Sequence, residues 1–446
     1  MHARKLLIAA LLFTTALILH HRQGQSQFTI RPTAQEELIL AVPDVQPSRP
    51  EQASDLAQVL KTFNDVLWAD LKFSGFFTIP SKSFYPPQPI VRTEDINYDA
   101  WSVLPFQLSF MAAGTLELDG GILRAELRIV DMKQRSMSFG QRISGDSDQV
   151  RSIAHRWADE VVYKLTAGAS RGIASTKIAY TSRRGAAKEI YTMDYDGYDT
   201  RPFTRNGSLN LFPSWAPDNS KLAFVSYRTG KPQLNIHSYV DGSRLPFPIF
   251  NSMTSTPVIA PDGNRLAFTM SDAKGNLDIY ISRLDGTERR NITNSPAVNT
   301  SPTWAPSGNQ IAFISNRGGT PQIYICDTDG ANIRRIVKEG GDADSPAWSP
   351  DGRLIAFHWK PRMAENYDIF IAEVSSARIW QLTSDSGSNE SPSWAPDGRH
   401  IAFQSSRSGS DQIYIMLAET NSREIRMVTS QGANTSPAWG GYVRRD

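Results

Sequence analysis

Beyond residue 177 the chain repeats one alternation: an apolar stretch holding a tryptophan between two prolines, a polar turn, then a second apolar stretch ending in phenylalanine. It reads LFPSWAPDNSKLAF, STPVIAPDGNRLAF, TSPTWAPSGNQIAF, DSPAWSPDGRLIAF and ESPSWAPDGRHIAF, with a last, shortened copy TSPAWGGY. The units centre on Trp215, Ile259, Trp304, Trp348, Trp394 and Trp439, spaced 44, 45, 44, 46 and 45 residues apart. A fixed period in the forties, filled with strand-length runs, predicts a β-propeller with one blade per period. A helical array of that period is excluded by β-rich runs such as Ile323-Tyr324-Ile325 and by the Pro and Gly of every unit, which helix interiors tolerate poorly.

Within one unit, Pro302 is expected to open a short strand with Thr303 and Trp304, where a missing N–H leaves no ladder bond unmade. Pro306-Ser307-Gly308, elsewhere Pro-Asp-Gly, is a turn, because proline presets φ and glycine accepts the positive φ of the reversal. The Asp of each such turn is therefore a turn residue before it is anything chemical. Residues 310–314 form a buried second strand, 322–326 a third, Asp329-Gly330 a hairpin turn and 333–337 the outer strand. The paired prolines thus bracket the strand nearest the central channel. The last unit stops after its inner strand, whereas residues 177–181 match a second strand, 189–194 a third, and Asp196-Gly197 its turn. One blade is thereby predicted to be shared between the two ends of the array. Residues 177–446 make six blades, and the shared blade removes two open sheet edges.

Residues 28–166 lack the repeat and change period along their length. Residues 37–42 read as a strand. Ser54 is placed as the N-cap of a helix that buries Leu56, Val59, Leu60, Phe63, Val66, Leu67 and Leu71 and ends at Gly75. Strand resumes at 76–79. Residues 106–118 and 122–131 flank the hairpin signal Asp119-Gly120-Gly121, and 136–143 follow. Asp148 starts a second helix with Val150, Ile153, Trp157, Val161 and Leu165 inward. The expected architecture is an α/β N-terminal domain over 27–166, a linker over 167–176, and an all-β six-bladed propeller of WD40-like repeats over 177–446. Before it, His2, Arg4 and Lys5 precede an apolar run of 14 residues, 6–19. As a helix that run reaches about 21 Å at ~1.5 Å per residue, short of the ~30 Å a bilayer core needs. With Gly24 and Ser26 ahead of Gln27, residues 1–26 read as a cleaved secretory signal, and the protein as exported. No cysteine follows the apolar run to carry a lipid there.

Charge and chemistry narrow the function. A net charge of +2 with dispersed Lys and Arg gives no electrostatic argument for nucleic acid. The single cysteine, Cys326, excludes an internal disulfide and a thiolate metal cage, and reads as a structural strand residue. Residues 168–172, GASRG, fit the G-x-S-x-G pattern, but a helix precedes and a strand follows, the reverse of what a nucleophile elbow needs. His155, His237, His358 and His400 lie far apart with no metal-ligand spacing, and His2, His20 and His21 leave with the signal. No Walker loop or dinucleotide fingerprint follows a strand. The expectation is no catalytic residue, no metal site and no cofactor. What remains is a ring ahead of the inner strands: Asn210-Leu211-Phe212, Thr254-Ser255-Thr256, Asn299-Thr300-Ser301, Asp344-Ser345, Glu390-Ser391 and Asn434-Thr435-Ser436. Short polar side chains around a channel mouth suit hydrogen bonding to a protein partner. Two alternatives are a propeller that docks or gates substrates for a separate peptidase, and a glycan binder. The latter is weaker because Phe212 is the single aromatic placed at the mouth.

An export signal, a small α/β domain with AWSVL at residues 100–104, a helix ending in DEVVYKLTA, then IAYTS and six WAPDG-type repeats together resemble the TolB family, the periplasmic propellers of the Tol–Pal system. The resemblance spans nearly the whole mature chain. It implies a non-enzymatic protein, monomeric and peripheral to the membrane through its partners, that supports outer-membrane integrity and cell division. It implies binding of a Pal-like peptidoglycan-associated lipoprotein at the channel mouth. Carried onto this sequence, that surface falls on Met253, Thr254, Ser255, Thr256, Asn299, Thr300 and Ser301, with Asp344, Ser345, Glu390 and Ser391 from neighbouring blades. A TolA-like partner is implied for the segment Gln27, Phe28, Thr29, Ile30, Arg31 and Pro32, a short strand able to extend a partner's sheet.

Overall fold

The computed structural model describes residues 38–442 apart from 362–365, 421 and 423; residues 1–26, expected as an export signal, and the segment Gln27 to Pro32 lie outside the described residues. The chain enters a mixed sheet at β1 (Leu38–Ala41) and β2 (Gln46–Pro47), runs through helix α1 (Ala57–Phe73), and returns at β3 (Phe77–Thr78). A short helix α2 (Tyr98–Ser102) precedes the meander β4 (Phe110–Asp119), β5 (Ile122–Asp131) and β6 (Ser136–Asp146), and α3 (Val150–Leu165) closes the unit. The sheet order is β3-β1-β4-β5-β6, with β2 also paired to β4. Asp119 pairs with Ile122 across Gly120 and Gly121, both at positive φ, as the hairpin signal predicts. Helices α1 and α3 bury their apolar stripes against the sheet and each other, with Phe63 and Trp157 edge to face at 5.6 Å. Gly114 is required there: a Cβ would stand 2.5 Å from the Trp157 ring and 2.2 Å from the Glu126 carbonyl. Helix α1 begins later than its sequence suggests. Its N-cap is Leu56, without a side-chain cap, and the Ser54 hydroxyl bonds Asp55 instead, because a 3-10 turn at Pro50–Gln52 takes up the approach.

From β7 (Lys177–Arg184) onward every strand belongs to one of six sheets. Blade one holds Asn210–Trp215, Lys221–Ser226 and Gln233–Ser238, and has three strands. Blades two to five have four each, with inner strands Thr254–Ile259, Asn299–Trp304, Gly341–Trp348 and Asn389–Trp394. Blade six joins the chain's ends in the order Ala433–Trp439, β7, β8 (Ala187–Asp194) and β9 (Arg201–Pro202), so the shared blade is present. Outer strands are shorter than expected: in blade three only Arg334–Arg335 pairs.

Three of the repeated tryptophans hold neighbouring blades together. The indole N–H of Trp215 donates to the Ala438 carbonyl (3.1 Å), that of Trp304 to Val258 (3.0 Å), and that of Trp394 to Ala347 (3.0 Å). In each case the acceptor lies on the inner strand of the preceding blade. The Asp of the Pro-Asp-Gly turn accepts the backbone N–H two residues on, as at Asp262, Asp351 and Asp397, which is the turn role read from sequence. Cys326 is buried on the third strand of blade three, and its thiol is pushed up to about 12 by burial.

The first domain docks by the end of α1. Its last carbonyls have no intrahelical donors, and the propeller supplies them. Arg426 donates to Ala69, His400 Nε2 to Phe73 (2.9 Å), and Arg399 to Gly75 (2.9 Å). The guanidinium groups of Arg399 and Arg426 at a helix C-terminus also suit its partial negative charge. The Arg399 guanidinium stacks 3.8 Å from the Phe76 ring centroid, and Asp397 holds the other nitrogen of His400 at 2.7 Å. One hydrophobic core runs unbroken from Leu40 and Trp157 to Tyr195, Ile413 and Trp439.

Candidate functional site at the channel mouth

Each inner strand carries a two-residue irregularity at the first of its paired prolines. In blade three the register runs Thr300↔Ile314 and then Thr303↔Ala312, skipping Ser301 and Pro302. Pro302 therefore sits in mid-strand rather than opening it, and the bulge is what lets a residue without an N–H stay in the sheet. The residue before the proline is left-handed in all six blades: Phe212, Thr256, Ser301, Ser345, Ser391 and Ser436 have φ of 44° to 55°. Non-glycine residues rarely adopt that region, and a following proline restricts them further. These six residues with their prolines line a central cavity of about 370 Å³.

The bulge turns polar groups loose from the ladder, and side chains take them up. The Ser391 N–H donates to His358 Nδ1 (3.2 Å), and the Ser436 N–H to Gln404 Oε1 (2.9 Å). Asp344 accepts from the Ser301 hydroxyl (2.8 Å) and from the Ser345 N–H. The partners His358 and Gln404 are the residues that follow the central aromatic residue of each second strand, Phe in five blades and Tyr180 in the sixth; their counterparts in the other blades are Val225, Thr269, Ile314 and Thr181. The ring is consequently lopsided. Blades four and five present Asp344, His358, Glu390 and Gln404, whereas blades one to three place Val225, Thr269 and Ile314 at the positions of His358 and Gln404, with Leu209, Phe212, Met253 and Val298 exposed at the rim. Burial holds His358 down at about 4, against a smaller opposing pull from Asp344. Burial, with Asp411 and Asp344 nearby, raises Glu390 above the usual carboxylate range.

The predicted site residues divide accordingly. Thr256, Ser301, Asp344, Ser345 and Ser391 line the cavity, Met253 is exposed at its rim, and Ser255, Thr300 and Glu390 are half-buried on the first paired step of their strands. Asn299 and Thr254 are a correction: both are fully buried. The Asn299 amide donates to Asp278 (3.0 Å) on the preceding blade and accepts from Arg317 (3.0 Å). Asn389 repeats this with Asp368 and Arg407, and Asn434 donates to Gln412. A short polar residue at this place clamps two blades together instead of facing a partner. The mouth lies away from the first domain. In blade five the inner strand starts at its clamp, Asn389, and ends at Trp394 beside the Pro-Asp-Gly turn, and that turn carries the contacts to α1.

The remaining sequence candidates are scattered. Ser170 is buried, and its Oγ accepts from the Gly172 N–H. His400 serves the domain interface and His358 the channel. His155 is also at the domain interface: burial lowers it, but the Asp70 carboxylate at 2.7 Å, with Asp196 and Asp194 behind, raises it to about 9.

Comparison with known proteins decides the kinship. A family model described as the TolB amino-terminal domain matches residues 27–137, and one described as the TolB beta propeller domain matches residues 162–363 and 338–442. The chain belongs to the TolB family. The Tol-Pal system protein TolB of Geobacter metallireducens is 32% identical over 212 residues, 48% of this chain and 47% of that protein. A TolB homolog of Chlorobium luteolum is 31% identical over 258 residues, 56% of each. The matched stretches thus span about half the length of these curated TolB relatives. The crystal structure of TolB from Acinetobacter baumannii superposes with a TM-score of 0.77 over 94% of this chain and all of that one, at 23% identity. That likeness establishes the shared fold of a TolB-type first domain and six-bladed ring.

Proposed function

We propose that this protein is a non-enzymatic periplasmic docking component of the Tol–Pal system, and that its channel mouth binds a Pal-like peptidoglycan-associated lipoprotein. The observation that carries the reading is the ring of six bulged residues around one cavity, five of them Ser or Thr with short hydroxyl side chains and the sixth Phe212. A protein loop inserted there meets several blades at once, apolar on one side and acidic on the other. The contact surface is Met253, Ser255, Thr256, Thr300, Ser301, Asp344, Ser345, Glu390 and Ser391. Asn299 and Thr254 support it from beneath. The segment Gln27 to Pro32 is the docking segment for a TolA-like partner, and the assembly serves outer-membrane integrity and cell division.

The test is titration of the soluble domain of a Pal-like lipoprotein from the same organism. Ser391→Arg fills the mouth and is expected to abolish binding, while Val240→Arg on an exposed loop leaves it intact. Removal of residues 27–32 is expected to spare lipoprotein binding and abolish capture of the TolA-like partner. Undiminished lipoprotein binding by Ser391→Arg places the docking face elsewhere.

A further inference from the structure

A second constellation lies at the opposite end of the ring, on the seam between the two domains. Asp70 comes from α1 and His155 from α3; Tyr195 and Asp196 follow β8, whose last residue is Asp194. Asp70 holds His155 Nδ1 at 2.7 Å with one oxygen and accepts the Tyr195 hydroxyl at 2.6 Å with the other. The imidazole is thus fixed in orientation, edge to face against the Tyr195 ring. Its other nitrogen, Nε2, is buried and has no hydrogen-bond partner. It points toward Asp196, 3.7 Å away, and ligand atoms of His155, Asp194 and Asp196 all lie within 4.8 Å of one another.

A carboxylate that orients one nitrogen of a histidine while the other faces further acidic groups is the outer-sphere arrangement of metal-bound imidazole. We propose that His155 Nε2, Asp194 and Asp196 form a site for a divalent transition metal of the zinc type, clasping the first domain to blade six. One imidazole and two carboxylates leave a fourth position for water, a tetrahedral set that suits Zn²⁺. For bonds of roughly 2.0–2.2 Å the ligand atoms must close to about 3.3 Å spacing, so binding draws the two carboxylates toward Nε2. Each carboxylate now also holds a cation, Arg151 at Asp196 and Lys177 at Asp194 (2.6 Å). At Asp194 the metal takes the oxygen that Lys177 leaves; at Asp196 the oxygen facing Nε2 is the one Arg151 holds, the other accepting the Tyr198 N–H (3.2 Å), so the metal displaces Arg151 toward solvent. Any proton on Nε2 leaves to solvent as the metal–nitrogen bond forms. The site escapes a search for spaced motifs because its ligands come from two domains. The inference is independent of what the channel mouth binds.

The experiment uses the full chain, stripped with chelator and dialysed against Zn²⁺ in excess Mg²⁺. The expected result is one zinc per chain, with an X-ray absorption spectrum of one imidazole and otherwise oxygen ligands. His155→Gln and Asp196→Asn lose the metal, and Asp70→Asn, a positioning residue, weakens it by roughly 10–100-fold. No zinc retained by the wild-type chain overturns the proposal. So does zinc retained equally by folded His155→Gln and Asp196→Asn, or a spectrum with several imidazoles, which would mark a site at other histidines. Because the spectrum is read on the wild-type protein, the outcome stands even if a variant fails to fold.

Discussion

Asn299 illustrates how one residue type can carry two readings. Short, polar and placed just ahead of a proline, it reads as a mouth residue, yet its side chain joins Asp278 of one blade to Arg317 of its own with no exposure. Asn299→Ala leaves a buried carboxylate and a guanidinium short of a partner. The expected loss is about 2–3 kcal/mol, read as a lowered urea midpoint at unchanged slope. His358 supplies a pH effect. Its folded-state value near 4 lies below the ordinary 6.5, so its contribution is present above pH 6.5 and is lost as pH falls through 4. The difference corresponds to roughly 3 kcal/mol. Protonating Nδ1 also breaks the bond from the Ser391 N–H. His358→Gln keeps an acceptor there, as Gln404 does one blade on. The wild-type melting temperature is expected to fall faster than that of the variant between pH 6.5 and 4. Parallel curves would count against the assignment. The positive φ before each proline was not legible: sequence shows which residues stand there, but not that a bulge forces them left-handed.

Helix α1 shows what an element's own sequence can and cannot announce. Its apolar stripe was readable, since Phe63, Val66, Leu67 and Leu71 are buried as the 3.6-residue period requires. Its destination was not. The donors to its last turn, Arg399, His400 and Arg426, lie more than 300 residues further on, and no local pattern links them. These contacts predict that the two domains unfold together. Arg399→Ala removes a charged donor and the stacking on Phe76, and is expected to split a single calorimetric transition into two. A single, unshifted transition would show that the apolar core alone couples the domains. The inner strands were legible in order and spacing, because tryptophan and proline recur with the blade. The outer strands were not: they are two or three residues long, too short for a period to form.

At the scale of the molecule, the ends of the chain make the ring. The last repeat replaces Pro-Asp-Gly with Gly440-Gly441, and the structure gives the reason. A Cβ at Gly440 would stand 2.8 Å from Asn219 Oδ1, and one at Gly441 would stand 2.6 Å from the Pro217 carbonyl. Asn219 of blade one accepts the Gly441 N–H and donates to the carbonyls of Gly441 and Tyr442. Trp215 reaches back to Ala438, and Trp439 to Thr176. Blade six is thereby tied to blade one by the same bonds that join blades elsewhere. That both ends contribute to one sheet followed from counting strands; the tie to Asn219 did not, since it depends on the two turns meeting in space.

Closure is the claim on which the docking face depends, since an open ring has no six-sided mouth. Native-state hydrogen exchange of the strands Lys177–Arg184 and Ala433–Trp439 tests it most directly. The paired amides of these terminal strands are expected to exchange only through global opening, with the same free energy as those of Gln310–Ser315 in blade three. Exchange of Ala433–Trp439 at the rate of a fraying end, while blade three stays protected, would contradict the closed ring.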